Sequence, residues 1–275
     1  MPCAWKELME ILPVKIRSET DQLGKETMME LRLRINAPPE LVLSTGTHWM
    51  EGTVTQEDLN FVVNTATRYS PWTAASAASG YITAPGGHRI GLCGEVIRKQ
   101  ETVTGLRSVR SLCIRVARDF PGIGKSVAAM DTSVLILGAP GTGKTTLLRD
   151  VIRQLGGKRH VAVVDERQEL FPAGFEQGRC QDTLLGCPKE QGIEMLLRTM
   201  GPEYIAVDEI TEERDCAALV RAACCGVGLL ATAHAGNLED FLRRNVYRQL
   251  REANIFPMVL VLKRDKTFTL ERMDR

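Results

Sequence analysis

Residues 134–155 read VLILGAPGTGKTTLLRDVIRQL. Four apolar residues, a glycine-rich turn and then Leu147, Leu148, Val151, Ile152 and Leu155 at helical spacing commit this stretch to a buried strand, a tight loop and a helix. Gly156-Gly157 ends the helix. Gly138, Gly143, Lys144 and Thr145 stand at the spacing of a phosphate-binding loop. Such a loop, here Gly138, Ala139, Pro140, Gly141, Thr142, Gly143, Lys144, Thr145 and Thr146, brings backbone N–H groups and a helix N-terminus to one point, where polyphosphate charge is met. Lys144 is expected to reach the β and γ phosphates, and the Thr145 hydroxyl to ligate Mg2+.

Nucleotide hydrolysis needs a second acidic position, and YIAVDEI supplies it as an apolar strand ending in Asp208 and Glu209. Asp208 is expected to hold the metal through water and Glu209 to polarise the attacking water. Two further features converge on this sheet edge. Thr232 and His234 follow the run GLLATA, where a polar side chain could sense the γ phosphate, and VVDERQE places Asp165, Glu166 and Glu169 after another strand, where a second water-orienting or metal-coordinating carboxylate is expected. The run MVLVLKRDK imitates a guanine-reading strand, with Lys263 and Asp265 in register, but Leu262 stands where an asparagine is needed. ATP is therefore the expected nucleotide, with Mg2+.

Apolar runs VLILG, VAVVD, YIAVD, GLLATA and MVLVL, separated by helical stretches, give the rhythm of a parallel sheet covered on both faces. An additional strand, VAVVD, comes in sequence between the phosphate loop and the acidic strand, the arrangement of a RecA-like sheet suited to ATP-driven mechanical work. The preceding sequence has another rhythm. A helix is expected over 4–17, strands in ELRLRIN and LVLSTG, a helix from Thr55 through Phe61, Val62 and Val63 towards Ser70-Pro71, a PGG turn between two short strands in YITAPGGHRIGLCGEVIRK, and another alternating strand in SLCIRVAR. The Pro- and Gly-rich DFPGIGKS divides the two patterns. The expected organisation is an N-terminal mixed α/β domain over 1–118 that covers nucleotide and mediates oligomerisation, a linker over 119–126, and a RecA-like P-loop ATPase domain over 127–275.

Composition excludes other classes. With 35 Lys and Arg against 34 Asp and Glu, net charge is +1, so no global field drives the chain onto nucleic acid or lipid. Aromatics at 5% offer no interleaved stacking surface for single strands, and no nucleic-acid partner is expected. The charged start, with Lys6, Glu7, Glu10 and Lys15, does not suit a secretory leader. The apolar stretch 216–235 carries Arg221, Gly226 and Gly228, and reads as a buried helix, a turn and a strand. Eight cysteines without a CxxC pair read as buried free thiols in a reducing compartment.

GGHRIGLCGEV, IRVARDFPG, GAPGTGKTTLLRD, VAVVDERQEL, CPKEQGIEMLLRTMGPEYIAVDEI and ALVRAACCGVGLLATAHA together resemble the stage III sporulation protein AA family of endospore-forming bacteria, relatives of type II and type IV secretion ATPases. The likeness runs over 31–235 and is most specific over 187–210. It implies a hexameric ATPase in the mother-cell cytoplasm, peripheral at the membrane through membrane proteins of the stage III channel, that powers a transenvelope channel to the forespore. It also implies that VVDERQE is the acidic box, YIAVDE the Walker B segment and ATAHA the histidine box. Two departures from secretion ATPases stand out: Asp208 occupies a position where many carry glycine, and no tetracysteine zinc motif is present. In such rings an arginine commonly completes the site from a neighbouring subunit. Arg115, on the alternating strand leading into the linker, is the leading candidate, followed by Arg89. The competing readings are a nucleic-acid-dependent P-loop ATPase and a small-molecule P-loop kinase. ATP-dependent ring assembly separates the ring motor from the kinase, and stimulation by nucleic acid at physiological salt would favour the nucleic-acid-dependent ATPase.

Overall fold

The computed structural model describes residues 4–68, 80–99, 102–172 and 175–273. The chain divides into two compact units, Met1–Asp119 and Phe120–Arg275.

The first unit opens with two helices, α1 (Trp5–Ile11) and α2 (Val14–Gly24), where periodicity predicts one. Pro13 is the reason: its ring disfavours helical backbone at the preceding residue, and Leu12 is extended at ψ 145°. A six-stranded antiparallel sheet follows, with β1 (Met28–Arg34), β2 (Glu40–Leu43), β3 (Gly46–Trp49), β4 (Tyr81–Thr83), β5 (Arg89–Lys99) and β6 (Thr102–Arg115) in the order β3-β2-β1-β6-β5-β4. The alternation in β1 buries Leu31 and Leu33 and leaves Arg32 and Arg34 half-exposed. Helix α3 (Gln56–Ala66) starts at a reciprocal cap: the Asp58 N–H donates to the Thr55 hydroxyl (3.2 Å) and the Thr55 N–H donates to the Asp58 carboxylate (2.7 Å). The expected stop at Ser70-Pro71 lies outside the described residues. Leu8, Ile11, Leu12, Leu59, Val62 and Ile114 close the core between helices and sheet.

The expected linker is not one throughout, because residues from Phe120 onward belong to the second unit. The Gly124 N–H donates to the fully buried Asp150 carboxylate (2.7 Å), and a Cβ at Gly124 would fall 2.6 Å from the Val151 nitrogen. This segment and α4 (Lys125–Ala128) are packed onto α5 (Lys144–Leu155), the helix after the glycine-rich loop 138–143.

The second unit holds a seven-stranded sheet: β7 (Val134–Leu137), β8 (Val161–Asp165), β9 (Gln181–Leu185), β10 (Tyr204–Ile210), β11 (Gly228–Ala233), β12 (Met258–Leu262) and β13 (Phe268–Arg272). Their order is β13-β12-β7-β11-β10-β8-β9, and every pairing is parallel except β12 with β13. The five apolar runs form the five inner strands. Edge strands β9 and β13 escape the hydrophobic pattern because they are half-exposed and carry polar residues. The helices on the two faces are α5, α6 (Lys189–Thr199), α7 (Glu213–Cys224), α8 (Leu238–Arg243) and α9 (Arg248–Ala253). The stretch 216–235 is indeed helix α7, a turn and β11.

Free thiols are not generally buried: among the described cysteines only Cys216 is, while Cys93, Cys224 and Cys225 are exposed. Among the described residues no helix is long and apolar enough to cross a membrane.

Candidate active site

The carboxyl ends of β7, β10 and β11 converge, because these parallel strands are hydrogen-bonded neighbours through β11. Open α/β sheets bind ligands at this end. The loop 138–143 leaves β7 and turns into α5 at Gly143, whose φ of 104° is a conformation that side chains resist. Gly138 serves close approach instead. A Cβ there would lie 2.7 Å from Thr142 Oγ1 and 2.8 Å from the Leu262 carbonyl.

Lys144 is 6% exposed, and its ammonium donates to the Ala139 carbonyl (3.2 Å) and to His234 Nδ1 (3.1 Å). Burial pushes its pKa below the ordinary lysine value, opposed by the charges of Asp208 and Glu209. An ammonium can only donate, so Nδ1 of His234 accepts; Nε2 then carries the ring proton and donates to Glu209 Oε1 (2.7 Å). The second Glu209 oxygen is ion-paired with Arg167. Thr145 Oγ1 donates to Asp208 Oδ2 (2.7 Å), and Thr232 Oγ1 donates to Asp208 Oδ1 (2.6 Å) while accepting the Glu209 N–H (2.8 Å).

Glu209 sits at φ 55°, where the pairing of β10 with β11 slips between Val207 and Ile210. Backbone of this kind in a non-glycine residue costs about 1–3 kcal/mol and needs surrounding contacts to hold it. The Thr232 hydroxyl is one such contact. Thr232 itself lies inside β11 and is fully buried, whereas the sequence reading places it after the run GLLATA. His234 follows the last residue of β11.

The acidic segment after β8 behaves differently from expectation. Asp165 is 2% exposed and accepts the N–H groups of Glu169 (2.9 Å), Leu170 (2.9 Å) and Phe171 (3.2 Å), so it folds the loop and is not a free metal ligand. Burial raises its pKa, against those three bonds. Glu166 is ion-paired with the buried Lys189. Glu169 is held through its backbone, its carbonyl accepting from Arg149 (2.7 Å). What sequence reading missed is Arg167, two residues past Asp165: only the folded turn, in which Gln168 adopts φ 56°, shows that its guanidinium meets Glu209. Arg115 and Arg89 lie in the first unit, Arg115 beside Glu30 (3.2 Å) and Arg89 over the Tyr81 ring (4.0 Å).

Among the described residues there is no group of three or more His, Cys, Asp or Glu side chains that could hold a metal ion. Mg2+ does not need one, since it keeps several waters and takes one or two protein oxygens plus phosphate. The Thr145 hydroxyl and Asp208 carboxylate, 2.7 Å apart beside the loop, fit that demand.

A sequence profile of sporulation stage III, protein AA, matches residues 4–270. The chain belongs to this family. Its members include the stage III sporulation protein AA of Bacillus subtilis (strain 168), 35% identical over 280 residues that cover 94% of this chain and 91% of that protein. Solved structures with the same fold include the Legionella pneumophila ATPase DotB, with a TM-score of 0.60 at 16% identity over 95% of this chain and 80% of that one. The pilus retraction motor PilT with bound ADP has a TM-score of 0.61 at 14% identity, over 90% and 76%. This member of the stage III AA family thus carries the RecA-like ATPase fold of the secretion and pilus motors, preceded by a mixed α/β domain.

Proposed function

We propose that this chain hydrolyses ATP as a ring motor, with its N-terminal domain over 1–118 completing a neighbour's site, and powers a channel between mother cell and forespore. The observation that carries this reading is the unbroken chain Arg167–Glu209–His234–Lys144, set beside Thr145–Asp208–Thr232. It joins the phosphate lysine to a carboxylate able to act on water.

In this reading the N–H groups of 143–146 and the Lys144 ammonium bind the β and γ phosphates, so Lys144 exchanges Ala139 and His234 for phosphate oxygen. The Thr145 hydroxyl, and Asp208 through water, would hold Mg2+, which would supply charge neutralisation to the phosphates. Glu209 orients a water and accepts its proton as the water oxygen bonds to the γ phosphorus and the bond to the ADP oxygen breaks. His234, released by Lys144, reports phosphate occupancy to Glu209 through its Nε2 proton. Glu166 and Glu169 are assigned to the shape of the acidic loop. Charge growing on the transferred group is met by an arginine from a neighbouring subunit, Arg115 first. The homo-oligomer is a hexamer in the mother-cell cytoplasm, held at the membrane by channel proteins.

The test is Glu209→Gln. The amide keeps the shape and nucleotide affinity but accepts no proton, so turnover falls about 10²–10⁴-fold while ATP still binds. Normal hydrolysis by Glu209→Gln, with loss in Glu166→Gln, would move the base to the acidic loop.

A further inference from the structure

The flank of the phosphate loop opposite Asp208 and Glu209 is formed by the β12–β13 hairpin. Strand β12 runs parallel to β7 with Val261 beside Leu137, so its carboxyl end emerges next to the start of the loop. The missing Cβ of Gly138 lets that end come close, as the Leu262 carbonyl shows. From this hairpin Lys266 reaches across and donates to the carbonyls of Gly141 and Thr142, at 3.0 Å each. Its nitrogen lies 4.0 Å from where a Cβ on Gly143 would be. The turn is built to deliver it: the Lys266 N–H donates to Lys263 (3.1 Å), Asp265 accepts from both the N–H and the hydroxyl of Thr267 (3.0 and 2.6 Å), and Lys266 itself takes φ 69°. The φ of Lys266 is the left-handed position that closes a type I turn with a bulge, so the hairpin itself sets the backbone from which the side chain reaches the loop.

We infer that Lys266 is a positioning residue for nucleotide phosphate, fixing the loop from its outer side. The reasoning rests on peptide geometry together with the ATPase reading above. Each peptide is planar and trans, so a carbonyl and the following N–H point in opposite directions. Drawing the carbonyls of Gly141 and Thr142 onto one ammonium turns the N–H groups of Thr142 and Gly143 away from it. In the structure the Thr142 N–H turns back to Ala139 (3.3 Å), and the Gly143 N–H enters the first turn of α5, whose donors lack intrahelical partners. Two carbonyls gathered on a cation therefore direct the Gly143 N–H with the first donors of α5, the Thr142 N–H being held by Ala139, and place a positive charge behind the loop. Lys144 engages a different loop carbonyl, that of Ala139, and Thr145 is turned to Asp208. The group served is the diphosphate common to ATP and ADP, because the residues concerned precede the helix and lie away from Glu209.

The experiment is equilibrium binding of Mg-ADP and of a non-hydrolysable Mg-ATP analogue to the full chain and to Lys266→Met and Lys266→Arg, with thermal midpoints measured without nucleotide. Loss of a charged hydrogen-bonding group should weaken both nucleotides about tenfold in Lys266→Met. ATP turnover should show the loss in KM more than in kcat, Lys266→Arg should recover part of it, and the midpoints should stay together. Wild-type affinity in Lys266→Met overturns the inference, as does a loss confined to the ATP analogue or one that Lys266→Arg reproduces in full. Failure of the unaltered chain to bind either nucleotide overturns the ATPase reading and this inference with it, whereas an indifferent Lys266→Met beside a binding wild type overturns the inference alone.

Discussion

His88 shows how one side chain in GGHRIG fastens a domain. It is fully buried, its Nδ1 accepts the Ala117 N–H (3.2 Å), and its Nε2 therefore donates to the Ala4 carbonyl (2.9 Å). Burial holds its pKa below the usual 6.5, with Arg118 adding to the effect and the Ala4 bond and Glu7 opposing it. The folded chain thus keeps this ring neutral where the unfolded chain takes up a proton. Below the unfolded pKa the unfolded state binds more protons, so this contribution to stability is present above about pH 6.5 and fades as pH falls further. Titration of the histidine rings by NMR should find His88 still neutral when an exposed histidine is half protonated, and a His88 curve centred at or above the ordinary value would contradict this. At the candidate site, the clustering of Lys144, Thr145, Asp208, Glu209 and His234 was legible in the sequence because strand ends and motif spacing fix where they stand. Arg167 was not, because its direction depends on the turn that Asp165 folds with three N–H bonds.

At the scale of elements, β10 and β11 act as a pair. The register slip after Val207 turns Glu209 out of the ladder, and the Thr232 hydroxyl ties both acids to the neighbouring strand. Thr232→Val keeps the volume and removes both bonds. It should cost about 1–3 kcal/mol in chemical denaturation, because the Asp208 oxygen and Glu209 N–H each lose a partner. Turnover should fall more than nucleotide affinity does, since Lys144 and the loop are untouched; full turnover in Thr232→Val would contradict the positioning of Glu209 by this bond. The inner strands were legible for the reason that parallel strands covered on both faces must be apolar throughout. Strands β9 and β13 were not, since an edge strand can be polar on its open side, and the break at Pro13 was hidden by apolar residues that keep helical spacing on both sides of it.

For the whole molecule, the sequence rhythm separates a mixed first part from a parallel second part, and two compact units are what the structure contains. Where the second begins was less legible: GIGKS reads as a flexible joint until Gly124 is seen packed against Asp150 and Val151. The division matters because the proposed arginine, Arg115, and the phosphate loop belong to different units. A site finished by a neighbour makes turnover depend on assembly, and an arginine supplied in this way is worth about 10³–10⁵ in rate in well-studied cases. The most direct measurement is steady-state phosphate release from Mg-ATP by the purified chain over a wide range of chain concentrations, with Glu209→Gln as the blank. The account predicts that release per chain rises with concentration to a plateau and is absent from the blank. Release per chain that is constant at every concentration would contradict the shared site, and release no greater than the Glu209→Gln blank would contradict the ATPase itself.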